Sequence, residues 1–242
     1  MYDLPSEDPE EPGLPDEFHV FQPQLLRETC QPPNIAPKEL FIGTDLNLYY
    51  DSRHPLWYKR PDWFLVVGAA SALQQQELRL SYVIWQEGIA PFLAIELLSP
   101  GTEAEDLGQT LRTVDQPPSK WQVYEQILRI PYYVVFDRYR NQLRVFQLVA
   151  TQYQLIPLAE QKFWFNEIQL GLGVWQGRYQ GIEGLWLRWY GETDRWISCA
   201  DEQVVQERQR AEQERQRAEQ ERQRADRLAA KLRELGVDPD QP

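Results

Sequence analysis

A chain of 242 residues that is 42% apolar and holds 9 Trp, 12 Tyr and 9 Phe is long enough for one large domain plus an appendage, with ample side chains for a core. Its net charge of −12 is uneven: seven of the 37 acids fall in residues 1–17, which hold no Lys or Arg, so the remainder sets 30 acids against 25 bases. No basic footprint for nucleic acid results, two distant cysteines (Cys30 and Cys199) make neither a disulfide framework nor a zinc pattern, and no apolar run approaches the roughly 20 residues of a membrane span.

The start of the chain, PSEDPEEPGLPDE, is acidic and Pro-rich, the reverse of a signal peptide. With its thiols read as reduced, the protein is expected in the cytoplasm and away from membranes. Residues 1–38 are expected to form an extended arm, disordered at first and draped over the domain from Phe18 onward, because proline disfavours helix. His19 lies in this arm and reads as a surface residue.

Residues 39–60 look like an irregular entry with one short strand. Strand-like runs follow at 63–67, 78–85 and 92–98, separated by turn signals at Gly68, Gly88 and Pro91. In LRLSYVIW the apolar Leu78, Leu80, Tyr82 and Ile84 alternate, which predicts a strand with one wetter face. TEAEDLGQTLRTV reads as a helical connector, with Thr102 and Glu105 spaced as a capping box. After Pro117-Pro118, Ser119 is placed to cap a helix over 120–130 that Pro131 stops. Strands are predicted at 132–136, 143–149, 153–158 and 163–170, and Trp186, Trp189 and Trp196 are assigned to sheet core rather than to base stacking. Strand, helix, strand and hairpins in that order give an α/β fold with a mixed sheet flanked by helices.

From about Asp201 the composition shifts to charged repeats: residues 206–226 are three copies of QERQRAE, the last ending in Asp226. This predicts a helix over 201–236 and a tail at 237–242, beyond a domain at 39–200. Val204, Ala211, Ala218, Ala225 and Leu232 recur every seven residues, but the partner positions are Glu207, Glu214 and Glu221 before Leu228 and Leu235. The seam is therefore weak, and a solvated single helix stands beside a homo-oligomerising coiled coil.

The chemistry concentrates on PFLAIELLSP, 91–100, where Glu96 interrupts a run that otherwise reads as buried strand. A lone buried carboxylate is costly unless paired or metal-bound. Asp62 opens another apolar run, and Lys120 begins the capped helix. Two carboxylates with the Leu97 backbone carbonyl offer the oxygen donors magnesium or manganese takes, and a lysine offsets charge developing on phosphorus. Tyr124, Lys59, His54 and Asp106 are possible supporting groups; Lys59 is the alternative lysine, and Asp106 reads as a surface acid.

The order Pro61-Asp62 before an apolar run, then Ile-Glu-Leu-Leu-Ser-Pro-Gly-Thr (95–102), Lys120-x-x-x-Tyr124, and Ile-Pro-Tyr-Tyr-Val-Val-Phe-Asp (130–137) resembles the Uma-two family of restriction-endonuclease-like proteins in the PD-(D/E)XK nuclease superfamily. The resemblance spans about residues 40–197. It implies a restriction-endonuclease-like fold, Asp62 and Glu96 as metal ligands, Lys120 on the following helix as the catalytic lysine, and DNA as substrate. Leu98 stands where the superfamily pattern has its lysine, the link from Asp106 to Lys120 is longer than usual, and Tyr132 replaces a family acid. The resulting expectation is a magnesium- or manganese-dependent endodeoxyribonuclease; the alternative is a silent nuclease-fold scaffold that assembles through its C-terminal helix.

Overall fold

The computed structural model describes residues 16–99, 103–110, 112 and 116–234. Residues 1–15 of the expected arm, the Thr102 cap, Leu235, Gly236 and the tail 237–242 lie outside the described residues. The chain forms two compact units, Met1–Ile197 and Ser198–Pro242.

The first unit is an α/β domain built on a six-stranded mixed sheet. Its strands are β1 (Leu40–Thr44), β4 (Trp63–Val67), β6 (Leu93–Leu97), β7 (Tyr132–Asp137), β8 (Gln142–Val149) and β9 (Gln152–Leu155), adjacent in that order. Only β6 and β7 run parallel; every other pair is antiparallel. The crossover joining β6 to β7 carries α3 (Glu103–Asp106) and α4 (Lys120–Gln122), the latter continued by a π turn over Val123–Ile127. Ser119 caps α4 as its sequence predicts: its Oγ accepts from the Gln122 N–H, and the Gln122 side chain accepts from the Ser119 N–H.

Two further sheets sandwich this one. A three-stranded antiparallel sheet of β10 (Lys162–Phe165), β11 (Leu170–Tyr179) and β12 (Ile182–Tyr190) packs Phe165, Leu170, Leu172, Leu187 and Trp189 against Trp63, Ile95, Leu97 and Phe136. A smaller sheet of β2 (Leu48–Tyr49), β3 (Tyr58–Lys59) and β5 (Tyr82–Val83) lies with α4 and the π turn over the other face, against Phe64, Val66, Ala94 and Val135. Because alternate strand residues face opposite ways, β6 sends Leu93, Ile95 and Leu97 into the first core and Ala94 and Glu96 toward the second. All five are buried, which is why the strand reads as one apolar run.

Four sequence expectations are corrected. Residues 39–60 hold three strands, β1, β2 and β3, rather than one, because each finds a partner strand to pair with. Residues Glu17–Thr29 form helix α1 rather than an extended arm. Asp16 caps it by accepting from the His19 N–H at 3.0 Å, and its core-facing Leu25 and Leu26 are fully buried. Pro23 inside the helix cannot donate to the His19 carbonyl, a cost of about 3 kcal/mol or more. Burying two leucines returns about 1.5–3 kcal/mol each. The Gln22 amide adds a reciprocal pair of 2.8 Å bonds to the Leu187 backbone of β12.

The alternating run 78–85 is not a strand. Leu78 and Leu80 are 63% and 96% exposed, β5 covers only Tyr82–Val83, and α2 (Ile84–Glu87) begins directly after it. The run 163–170 breaks at a turn into β10 and β11. In the second unit, α5 (Ala200–Glu234) is one continuous helix over the described part of the charged repeat. Its Gln216–Glu212 and Gln223–Glu219 side chains are bonded at 3.0 Å, one turn apart.

Candidate active site

Strand register brings the two acids together. β4 and β6 pair Trp63 with Ile95, and one step beyond that pair Asp62 faces Glu96. The Asp62 carboxylate accepts the Leu97 N–H at 2.6 Å, and the Asp62 N–H donates to Glu96 Oε2 at 3.4 Å. The crossover then covers Glu96. Lys120 Nζ lies 3.0 Å from Glu96 Oε2 and 2.8 Å from Asp106 Oδ1, and the Tyr124 hydroxyl donates to Glu96 Oε1 at 2.9 Å. Tyr124 is aimed by the π turn, in which the Leu128 N–H reaches back five residues to the Val123 carbonyl. Such turns concentrate at functional sites because the extra residue re-aims a side chain.

Glu96 and Asp106 are almost wholly buried, so Asp106 is not the surface acid its sequence implied. Its side chain is the second anchor of Lys120, and its backbone carbonyl accepts from the Tyr133 hydroxyl at 2.9 Å. Burial drives the Glu96 pKa well above the usual carboxylate range; Lys120 opposes this, while Asp106 and Asp62 reinforce it. Asp62 is raised in the same way, chiefly by burial, against the pull of Lys120. For Lys120 burial disfavours the charged form, yet Asp106, Glu96 and Asp62 outweigh it and the pKa rises well above that of a free lysine.

The other expected residues divide. Lys59 is near the cluster but one layer out: its Nζ lies 3.3 Å from Glu105, whose carboxylate also accepts the Lys120 N–H at 2.8 Å. Burial lowers the Lys59 pKa, with Arg112 and Lys120 adding to it against Glu105. His54 is not brought in; it bonds Asp51 at 2.9 Å and stacks on Trp57 with ring centroids 3.9 Å apart. Tyr132, standing where the family acid is expected, donates instead to Glu167 at 3.0 Å.

Two residues escaped sequence reasoning. Glu105, spaced as a cap partner for Thr102, takes Lys59, Arg112 and the start of α4. His19, read as a surface residue, is partly buried with Nε2 3.0 Å from the Leu97 carbonyl and Nδ1 2.8 Å from Asp16. Nothing in its local sequence signals this, since only the docking of α1 carries it to the end of β6.

The donor set suits a hard divalent cation. Two carboxylates and the remaining lone pair of the Leu97 carbonyl are oxygen donors, and magnesium uses one or two carboxylates while keeping several waters. Among the described residues no group of three or more His, Cys, Asp or Glu is arranged to hold a metal ion. Glu96 and Asp106, both buried, and the partly buried Asp62 converge on Lys120, and burial raises the pKa values of Glu96 and Asp62, so a bound cation would favour their charged forms.

The Uma2 family, described as "Putative restriction endonuclease", matches residues 8–176, more than half of the chain. The chain belongs to the Uma2 family. A solved structure titled as that of a "putative nuclease belonging to DUF820" from Anabaena variabilis is 14% identical to this Uma2 chain, covers 65% of it and 77% of its own length, and superposes with a TM-score of 0.41. None of the curated proteins compared matches. Among the described residues no helix is long and apolar enough to cross a membrane.

Proposed function

We propose that this member of the Uma2 family is a magnesium- or manganese-dependent endonuclease that hydrolyses DNA phosphodiester bonds at the Asp62–Glu96–Lys120 cluster. The observation that carries the reading is the Lys120 ammonium seated on Glu96 Oε2, beside Asp62 and backed by Asp106. Asp62, Glu96 and the Leu97 carbonyl would hold the cation, which when bound polarises a phosphoryl oxygen and activates water. Lys120 keeps a fixed positive charge where negative charge grows on phosphorus, and Asp106 fixes the direction of its stem. Tyr124 holds the Glu96 carboxylate in one orientation from the opposite oxygen. Family membership supports a nuclease; two adjoining carboxylates whose pKa values burial raises support metal dependence.

The test is supercoiled plasmid incubated with magnesium or manganese and with wild type, Asp62→Asn or Glu96→Gln. Nicking by wild type alone is the expected result. Equal nicking by all three proteins would move the chemistry elsewhere. Metal uptake with no nicking would favour a silent nuclease-fold scaffold, with self-assembly through α5 as its role.

A further inference from the structure

We infer that His19 is a positioning residue of the metal site, locking the Leu97 carbonyl in place from outside the sheet through the chain Asp16–His19–Leu97. This rests on the metal reading proposed above and adds a residue that neither the strands nor the crossover contributes. Both ring nitrogens of His19 face oxygens that only accept: the Asp16 carboxylate at 2.8 Å and the Leu97 carbonyl at 3.0 Å. The ring therefore donates from Nε2–H to Leu97 and from Nδ1–H to Asp16. Asp16 is held in turn by Arg138, from the turn after β7, which also lies over the Phe18 ring with its guanidinium carbon 4.8 Å from the centroid.

Leu97 is where this contact has leverage. Its N–H binds the Asp62 carboxylate and its carbonyl binds His19, so one peptide segment at the end of β6 is gripped from both sides immediately after Glu96. Outer partners that orient metal ligands hold the ligand atoms in one geometry, and their loss typically lowers metal affinity about 10- to 100-fold. The α1 helix is tied down independently of this contact, through Gln22 on Leu187 and through Leu25 and Leu26 in the core. Anchoring of the helix and orientation of the carbonyl can thus be separated.

The experiment is calorimetric titration of manganese into the full chain. His19→Phe keeps a ring of similar volume and removes both donors; it should weaken affinity about 10- to 100-fold. His19→Gln returns an amide N–H and should recover most of that loss. Gln22→Ala loosens α1 without touching Leu97 and should lower the thermal midpoint while leaving manganese affinity near wild type. Asp62→Asn marks complete loss. Wild-type affinity in His19→Phe, or a loss in His19→Gln as large as in His19→Phe, overturns the positioning role while the metal reading stands. Failure of wild type itself to take up manganese overturns both.

Discussion

Lys120 balances three carboxylates, and that imbalance sets what its removal does. Lys120→Ala leaves Glu96 and Asp106 buried without their cation. Breaking a buried pair costs about 3–5 kcal/mol, less whatever is recovered when one acid takes up a proton. Metal-free stability by urea titration should therefore fall, cleavage should drop, and manganese affinity should not be lost, because a protonated lysine offers a metal no lone pair. Unchanged cleavage would shift the role to Lys59 or to water alone. Glu96→Gln has the opposite logic: it mimics the protonated acid that burial already favours, so the metal-free fold should survive unharmed or gain stability while metal uptake is lost. The same shifts set the pH dependence. Asp62 and Glu96 are raised above their ordinary values of 3.8 and 4.5, so the stability they contribute is complete below those values and is lost as pH rises through the higher folded ones. His19 acts in the same direction from 6.5 upward; burial opposes its charge, but Asp62, Asp16 and the Leu97 carbonyl prevail. Metal-free protein should thus lose stability from weakly acidic to alkaline pH, and the stabilisation by added metal should grow over that range. Thermal melts at several pH values, with and without magnesium, check this; a metal effect largest at acid pH would contradict it.

At the scale of elements, α1 and the run 78–85 failed sequence reasoning for complementary reasons. Prolines and acids around α1 argue for an extended chain, but Leu26 joins the first core, Leu25 is fully buried and Gln22 bonds β12. Tertiary burial overrode local propensity. Leu26→Ala should therefore destabilise by about 2–5 kcal/mol, the cost of a core truncation, whereas a draped arm would tolerate it. Denaturant midpoints of the two proteins decide. In 78–85 the alternation is genuine, yet only Tyr82 and Val83 find a strand to pair with, and Arg79 turns to Glu87 at 2.6 Å and to the face of Phe41. Alternation without a partner strand leaves the leucines in solvent.

For the whole molecule, the division after Ile197 separates an aromatic-rich α/β unit from a charged helix. Among the described residues, the three sheets and the two apolar clusters lie within the first unit. Truncation after Ser198 should accordingly leave a protein that still unfolds cooperatively, read by circular dichroism; loss of folding at room temperature would make the helix part of the core. Self-association through α5 is proposed on its seven-residue repeat of Val204, Ala211, Ala218 and Ala225. A monomer mass independent of concentration in sedimentation would remove it.

Legible in the residues alone were the α/β class, the strand that follows Asp62 and the strand that carries Glu96, the Ser119 cap before Lys120 and the long charged helix. Each is written in a local signal: a breaker, a cap, an apolar run, a repeat. Packing in three dimensions is what sets Asp106 and Glu105 behind the lysine, keeps His54 out and carries His19 to the end of β6. Those outcomes depend on the path of the crossover and on the docking of α1, contacts between residues 14 to 78 positions apart whose energies come from shared burial and leave no trace in the neighbouring sequence.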